Sequence, residues 1–177
     1  MEPGIAVVAD PNFPLGQVTT RGFFAKTSNG LNILLRWYSP GHKSPSPAVI
    51  YTHGGGMILG SVKAYDKVVA VYVARTGVPF LAVDYRLAPE HPHSIPANDV
   101  YAALNWLVAH AEELGVDTSR IGIMGDSAGG GPAVAMALLA RQEDGPRLAI
   151  IRQALDTFSK LEHYGQRDRL AGPAGLQ

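Results

Sequence analysis

Gly125-Asp126-Ser127-Ala128-Gly129-Gly130 holds the serine with the clearest chemical promise in this chain. A serine hydroxyl becomes a useful nucleophile when a tight strand-to-helix turn thrusts it outward. Strand and helix crowd at such a turn, so its neighbours must lack side chains. Gly125 and Gly129 meet that need, two residues to either side of Ser127. The helix that follows turns its N-terminus toward the reacting centre, where backbone N–H groups and the macrodipole favour an anion. A plain glycine-rich turn is the alternative. The strand pattern before the motif and the helix pattern after it favour the nucleophile. Asp126, beside the serine, reads as a hydrogen-bonding residue of the turn rather than an acid of the reaction.

A second group lies 74 residues upstream, where His53-Gly54-Gly55-Gly56 directly follows an apolar run. Glycines here let bare N–H groups approach a developing oxyanion, each such donor being worth roughly 2.7–4 kcal/mol in the transition state. Two phosphate-binding readings fail. A P-loop needs Gly-Lys-Ser/Thr, which is absent, and a dinucleotide fingerprint begun at Gly54 would need glycine where Leu59 stands.

These residues must be positioned by strands and helices. Phe23–Thr27 and Leu31–Tyr38 read as a hairpin turning at Ser28-Asn29-Gly30. Ala48–Thr52 reads as a buried strand, Tyr65–Arg75 as a helix stopped by Gly77, and Val78–Val83 as a second buried strand. Residues 86–96, with Pro89, Pro92 and Pro96, form a loop into a helix that runs to about Leu114. Arg120–Met124 reads as a strand and Ala128–Arg141 as a helix of small residues. A hairpin followed by three strand–helix units predicts an α/β fold with a mostly parallel sheet. Beyond it, Ile151, Ala154, Leu155, Phe158 and Leu161 follow helical spacing, although Leu148–Ile151 is also short enough for a strand.

Composition narrows the classes. With 177 residues, one domain is expected. Fifteen basic residues balance fifteen acidic ones, which argues against nucleic acid or an anionic membrane as the main partner. The absence of cysteine excludes disulfides, thiol nucleophiles and zinc–thiolate sites. No run reaches the ~18 apolar residues of a membrane span. The start, Met1-Glu2-Pro3, does not resemble a signal peptide, so a cytoplasmic location is expected.

Together the two glycine motifs resemble the hormone-sensitive-lipase-like branch of the α/β-hydrolases. A third block, Val83-Asp84-Tyr85-Arg86-Leu87-Ala88-Pro89-Glu90-His91-Pro92, is similar to that branch as well. The resemblance covers about residues 20 to 150 and implies an α/β-hydrolase core. It implies Ser127 as nucleophile and an oxyanion hole built from the N–H groups of Gly55, Gly56 and Ala128, with Gly54 giving the turn. It makes His53 structural, orienting its own loop, and the Asp84–Pro92 block scaffold. It further implies hydrolysis of a small-molecule carboxylic ester through a seryl acyl-enzyme, without metal or cofactor.

Such an enzyme also needs an acid and a histidine, in the order Ser, Asp/Glu, His. After Ser127 the chain holds one histidine, His163, and five acids, of which Asp156 precedes it at short range. Both sit on one polar stretch with no strand before either, so solvated helix charges are the reading preferred over a functional pair. The expectation is one incomplete hydrolase domain over 1–177, with a divergent tail from about 155 and a sheet cut short after the elbow strand. By itself the chain should be inactive, and it should self-associate through the exposed sheet edge. The alternatives are a receptor of the same fold that binds a small ligand without turnover, and a non-functional fragment.

Overall fold

A computed structural model describes residues 18–41 and 45–154. One six-stranded sheet runs in the order β1 (Thr19–Lys26), β2 (Asn32–Ser39), β4 (Phe80–Val83), β3 (Ser46–Thr52), β5 (Val116–Asp126), β6 (Ile150–Ala154). The β1–β2 and β2–β4 pairs are antiparallel, and β3–β4, β3–β5 and β5–β6 are parallel. The hairpin therefore caps one side of an otherwise parallel sheet, as the sequence predicts.

The burial of each strand explains its place. All four residues of β4 are buried, as a central strand covered on both faces requires. Strand β2 alternates, with Ile33, Leu35 and Trp37 buried. Helices α2 (Ile95–Ala109), α3 (Ala111–Leu114) and α4 (Gly130–Gln142) cover one face over a core that includes Leu35, Ile50, Leu104, Leu107, Ile123 and Met136. Helix α1 (Asp66–Thr76) covers the other face over Tyr38, Tyr51, Val69, Val73 and Phe80. Gly77, at φ 66°, ends α1 with its N–H on the Val73 carbonyl, the left-handed stop expected from the sequence.

Three expectations need correction. The helix read through to Leu114 breaks at His110, whose Nδ1 and backbone N–H both reach the Trp106 carbonyl (2.8 and 3.1 Å). Strand β5 begins at Val116 rather than Arg120, because a register shift against β3 between Ser46 and Ala48 absorbs the exposed residues 118–120. The sheet does not stop at the elbow strand. Residues 150–154, which overlap the stretch left open between helix and short strand, pair in parallel with 122–126, so β6 follows β5 in the described sheet. Helical spacing competed there with a short β-branched run, Ile150-Ile151, and the open side of β5 decided the outcome.

The third sequence block is scaffold, as expected. Asp99 on α2 is fully buried and binds Arg86 through Nε (2.9 Å) and Nη2 (2.6 Å), and it also accepts the Arg86 backbone N–H (3.0 Å). Asp84 accepts the Val62 N–H at 2.8 Å, and the Ala88 N–H reaches the Met57 carbonyl at 2.8 Å. The block thus fastens the loop that follows the glycines of β3. Breaking a buried ion pair by removing one partner costs about 3 kcal/mol or more. Asp99→Ala should lower unfolding free energy in urea by that amount, and a loss below ~1 kcal/mol would show that the pair is not structural.

Candidate active site

The site forms where β3 and β5 end side by side. At the end of β5 the chain turns through a short 3₁₀ segment, Ser127–Gly129, into α4. Ser127 has φ 49°, a left-handed conformation that a serine adopts only when its surroundings impose it. A Cβ on Gly125 would overlap the Gly129 carbonyl, and a Cβ on Gly129 would overlap the carbonyls of Thr52 and His53. The two glycines are therefore fixed by backbone against backbone on both sides of the serine. Ser127 itself is exposed. Thr52 fastens the turn to β3, its hydroxyl donating to the Gly129 carbonyl at 2.8 Å.

The loop after β3 closes over the same place. A Cβ on Gly54 would stand 3.5 Å from Ser127 Cβ and 3.0 Å from the Asp126 carbonyl. Gly55 has φ 124°, and a side chain there would overlap the Leu59 carbonyl. Its own carbonyl receives the N–H of Leu59 at 2.9 Å, tightening the loop. The structure thus brings Gly54 beside Ser127, and Gly129 against Thr52 and His53, at the end of the sheet where α4 begins.

His53 is held by its own loop. Its Nδ1 lies 2.8 Å from the Gly54 carbonyl, which can only accept, so Nδ1 carries the hydrogen. The ring stacks on Tyr85 at 4.4 Å and on Tyr65 at 5.5 Å, and Tyr85 donates its hydroxyl to the His53 carbonyl at 2.7 Å. Its Nε2 is enclosed without a hydrogen-bond partner. Burial pushes the imidazole below its ordinary pKa, against the smaller opposing effects of the Gly54 hydrogen bond and Asp84. This is the packed, loop-bound ring expected from the sequence.

Asp126 is likewise bonded within the turn. Its Oδ2 accepts the hydroxyls of Tyr51 (2.6 Å) and Tyr72 (3.3 Å), while Oδ1 is buried without a partner. Burial raises its pKa, and the two phenols counter that in part. Tyr51, Tyr65, Tyr72 and Tyr85 were not singled out in the sequence. Tyr51 and Tyr85 sit at strand ends next to the motifs, but nothing in a linear pattern marks Tyr72 of α1 as a partner of Asp126. His163 and Asp156 lie outside the described residues. Between Ser127 and Ala154 there is no histidine, and the acids are Glu143 and Asp144. Among the described residues no cluster of three His, Cys, Asp or Glu could hold a metal, and no helix is long and apolar enough to cross a membrane.

A nucleophile-type turn at the end of a parallel strand, facing a glycine loop from the neighbouring strand, defines an α/β-hydrolase class of site. Comparison with known proteins agrees. The chain belongs to the α/β-hydrolase fold family, whose model matches residues 49–166. It is 44% identical over 112 residues to the carboxylesterase NlhH of Mycobacterium tuberculosis, covering 63% of this chain and 35% of that protein. It is 37% identical over 131 residues to the ethyl acetate hydrolase of Pseudomonas putida, covering 71% of this chain and 41% of that protein. Among solved structures, a bacterial heroin esterase superposes with TM-score 0.76 at 36% identity, over 81% of this chain and 46% of the other. The chain thus spans under half the length of each of these relatives.

Two outcomes test this geometry. Gly129→Ala should cost about 3 kcal/mol or more, because its Cβ meets backbone that cannot withdraw. A thermal melt within a few degrees of the parent would contradict the packing. The second concerns pH. His53 has a lower pKa folded than unfolded, so below the unfolded value of about 6.5 the unfolded chain binds more protons. That contribution to stability is full above this pH and falls as pH drops toward the folded pKa. His53→Gln should flatten the stability–pH curve between about pH 6.5 and 5 relative to the parent, and an unchanged slope would count against a buried neutral ring.

Proposed function

We propose that this chain carries the nucleophile and oxyanion hole of a serine carboxylic-ester hydrolase acting on a small-molecule ester. The observation that carries the reading is Ser127 at φ 49° with the Gly54 backbone packed against it. Ser127 Oγ attacks the ester carbonyl carbon and yields its proton to a base. The oxygen of the tetrahedral intermediate takes up the negative charge and accepts the N–H groups of Gly55, Gly56 and Ala128. Collapse breaks the carbon–oxygen bond to the alcohol, which leaves with the proton. Water then attacks the acyl-serine, releasing the acid and restoring Ser127. The names of the relatives support an ester as the substrate class. The zero net charge supports a partner that is not nucleic acid.

Within these 177 residues the one histidine after Ser127 is His163, with Asp156 before it, and that polar stretch reads as solvated charges rather than as the base and its orienter. A serine without a base is a weak nucleophile at neutral pH. Losing the histidine of a serine hydrolase costs on the order of 10⁶ in turnover and leaves roughly 10³–10⁴ over water. The proposal for the 177-residue chain by itself is therefore turnover of p-nitrophenyl acetate no higher than that residual level. Residues 1–154 joined to the remaining segment of the M. tuberculosis carboxylesterase should hydrolyse it briskly, and Ser127→Ala should abolish this. A folded fusion that stays inactive, or activity that survives Ser127→Ala, sinks the reading. Saturable binding of a short-chain carboxylate by that inactive fusion would favour a receptor. Brisk hydrolysis by the 177 residues, lost in His163→Ala, would make His163 the base.

A further inference from the structure

The chain leaves β3 at Thr52, runs through the glycines and returns at Tyr65, the residue before α1. The returning segment is fixed. Val62 donates its N–H to Asp84 at 2.8 Å, and Tyr65 donates its own to the Ser61 carbonyl at 3.2 Å. The Tyr65 side chain, only 7% exposed, reaches back under the start of the same loop. Its ring stacks on His53, and its hydroxyl stands 3.0 Å from the place a Cβ on Gly54 would occupy. That place is 3.5 Å from Ser127 Cβ.

Stacking alone needs no hydroxyl here. The Gly54 N–H is turned toward the phenol oxygen, while burial and the Asp126 charge raise the phenol's pKa and keep it neutral, with lone pairs to offer. Gly54 is buried, so its N–H requires a partner, and no backbone carbonyl among the described residues receives it. The carbonyl of the same His53–Gly54 peptide accepts the Tyr85 hydroxyl at 2.7 Å. The next peptide follows from this one. Its carbonyl, that of Gly54, is held by His53 Nδ1 at 2.8 Å, and the peptide is trans, so the Gly55 N–H points the opposite way.

We propose that Tyr65 is a positioning residue for the oxyanion hole. Its hydroxyl accepts the Gly54 N–H and, with Tyr85 on the carbonyl side, fixes the plane of the His53–Gly54 peptide and through it the direction of the Gly55 N–H. Three successive glycines have no side chains to limit their own backbone, so the aim of their N–H groups must come from outside the loop. A peptide held by its carbonyl alone can rock about that one bond. A donor that must first be aimed loses much of its value to a developing oxyanion. The inference rests on the ester-hydrolase reading and adds to it the group that aims one of its donors.

The amide protons of Gly54 and Gly55 report on this by NMR, in the full 177-residue chain free and after prolonged reaction with an alkyl phosphonofluoridate. Tyr65→Phe keeps the stacked ring and removes the hydroxyl. In the free chain it should make the Gly54 amide exchange with solvent about tenfold faster. In the Ser127 adduct of the parent, the Gly55 proton should lie far downfield, as a donor to the phosphonyl oxygen, and Tyr65→Phe should return it upfield. Val73→Ala, which opens a cavity under α1, should leave the Gly55 signal in place and so separate aim from stability. A downfield Gly55 signal that Tyr65→Phe does not move overturns the proposal and leaves the hydrolase reading standing. So does a Gly54 exchange rate that ignores the hydroxyl. A parent chain that forms no adduct at Ser127 sinks the hydrolase reading, and this role of Tyr65 with it. Should Tyr65→Phe fail to fold, a ring-fluorinated tyrosine at position 65, a weaker acceptor of nearly the same shape, should shift the Gly54 proton upfield, and an unmoved signal overturns the proposal.

Discussion

The turn after β5 meets the end of β3 backbone to backbone. No side chain separates Gly129 from the carbonyls of Thr52 and His53, or Gly125 from the Gly129 carbonyl. This contact forces Ser127 into a left-handed conformation and brings the glycine loop of β3 beside it. It also sets where α4 starts, and with it the packing of α4 over β5 and β6. The geometry is maintained from both faces of the sheet. The Thr52 hydroxyl binds the turn from β3, and Tyr51 of β3 and Tyr72 of α1 hold the Asp126 carboxyl.

A second set of interactions carries the glycine loop. His53 is sandwiched by aromatic rings and bonded to Gly54, while Tyr85 holds the His53 carbonyl. Arg86, next to Tyr85, is clamped by the buried Asp99. The loop is thus tied through Tyr85 and Arg86 to α2 on the far face of the sheet. Backbone donors are useful to an oxyanion only when they need not reorganise during the reaction. A loop fixed through aromatic stacking and a buried ion pair meets that condition.

Much of this was legible in the sequence because local constraints fix it. The glycines at 125, 129, 54 and 55 mark close approach or positive φ, and the alternation of strand and helix patterns marks the parallel sheet. Where the reading missed, non-local effects decided. The sequence leaves Leu148–Ile151 open between strand and helix, and the unpaired side of β5 decides it in favour of a strand over residues 150–154. The helix before β5 broke at His110 through a bond from its own side chain to Trp106. The phenol–carboxylate cluster joins residues 51, 72 and 126, whose meeting is set by the tertiary fold.

The central claim is that Ser127 faces the backbone donors of the glycine loop in a geometry suited to acyl transfer. A crystal structure after prolonged reaction with an alkyl phosphonofluoridate tests it most directly, since the phosphonyl group mimics the tetrahedral intermediate. The account predicts a covalent bond to Ser127 Oγ, with one phosphonyl oxygen about 2.7–3.1 Å from the N–H groups of Gly55, Gly56 and Ala128. Labelling at another residue, or an adduct whose oxygens point away from those three donors, would contradict it.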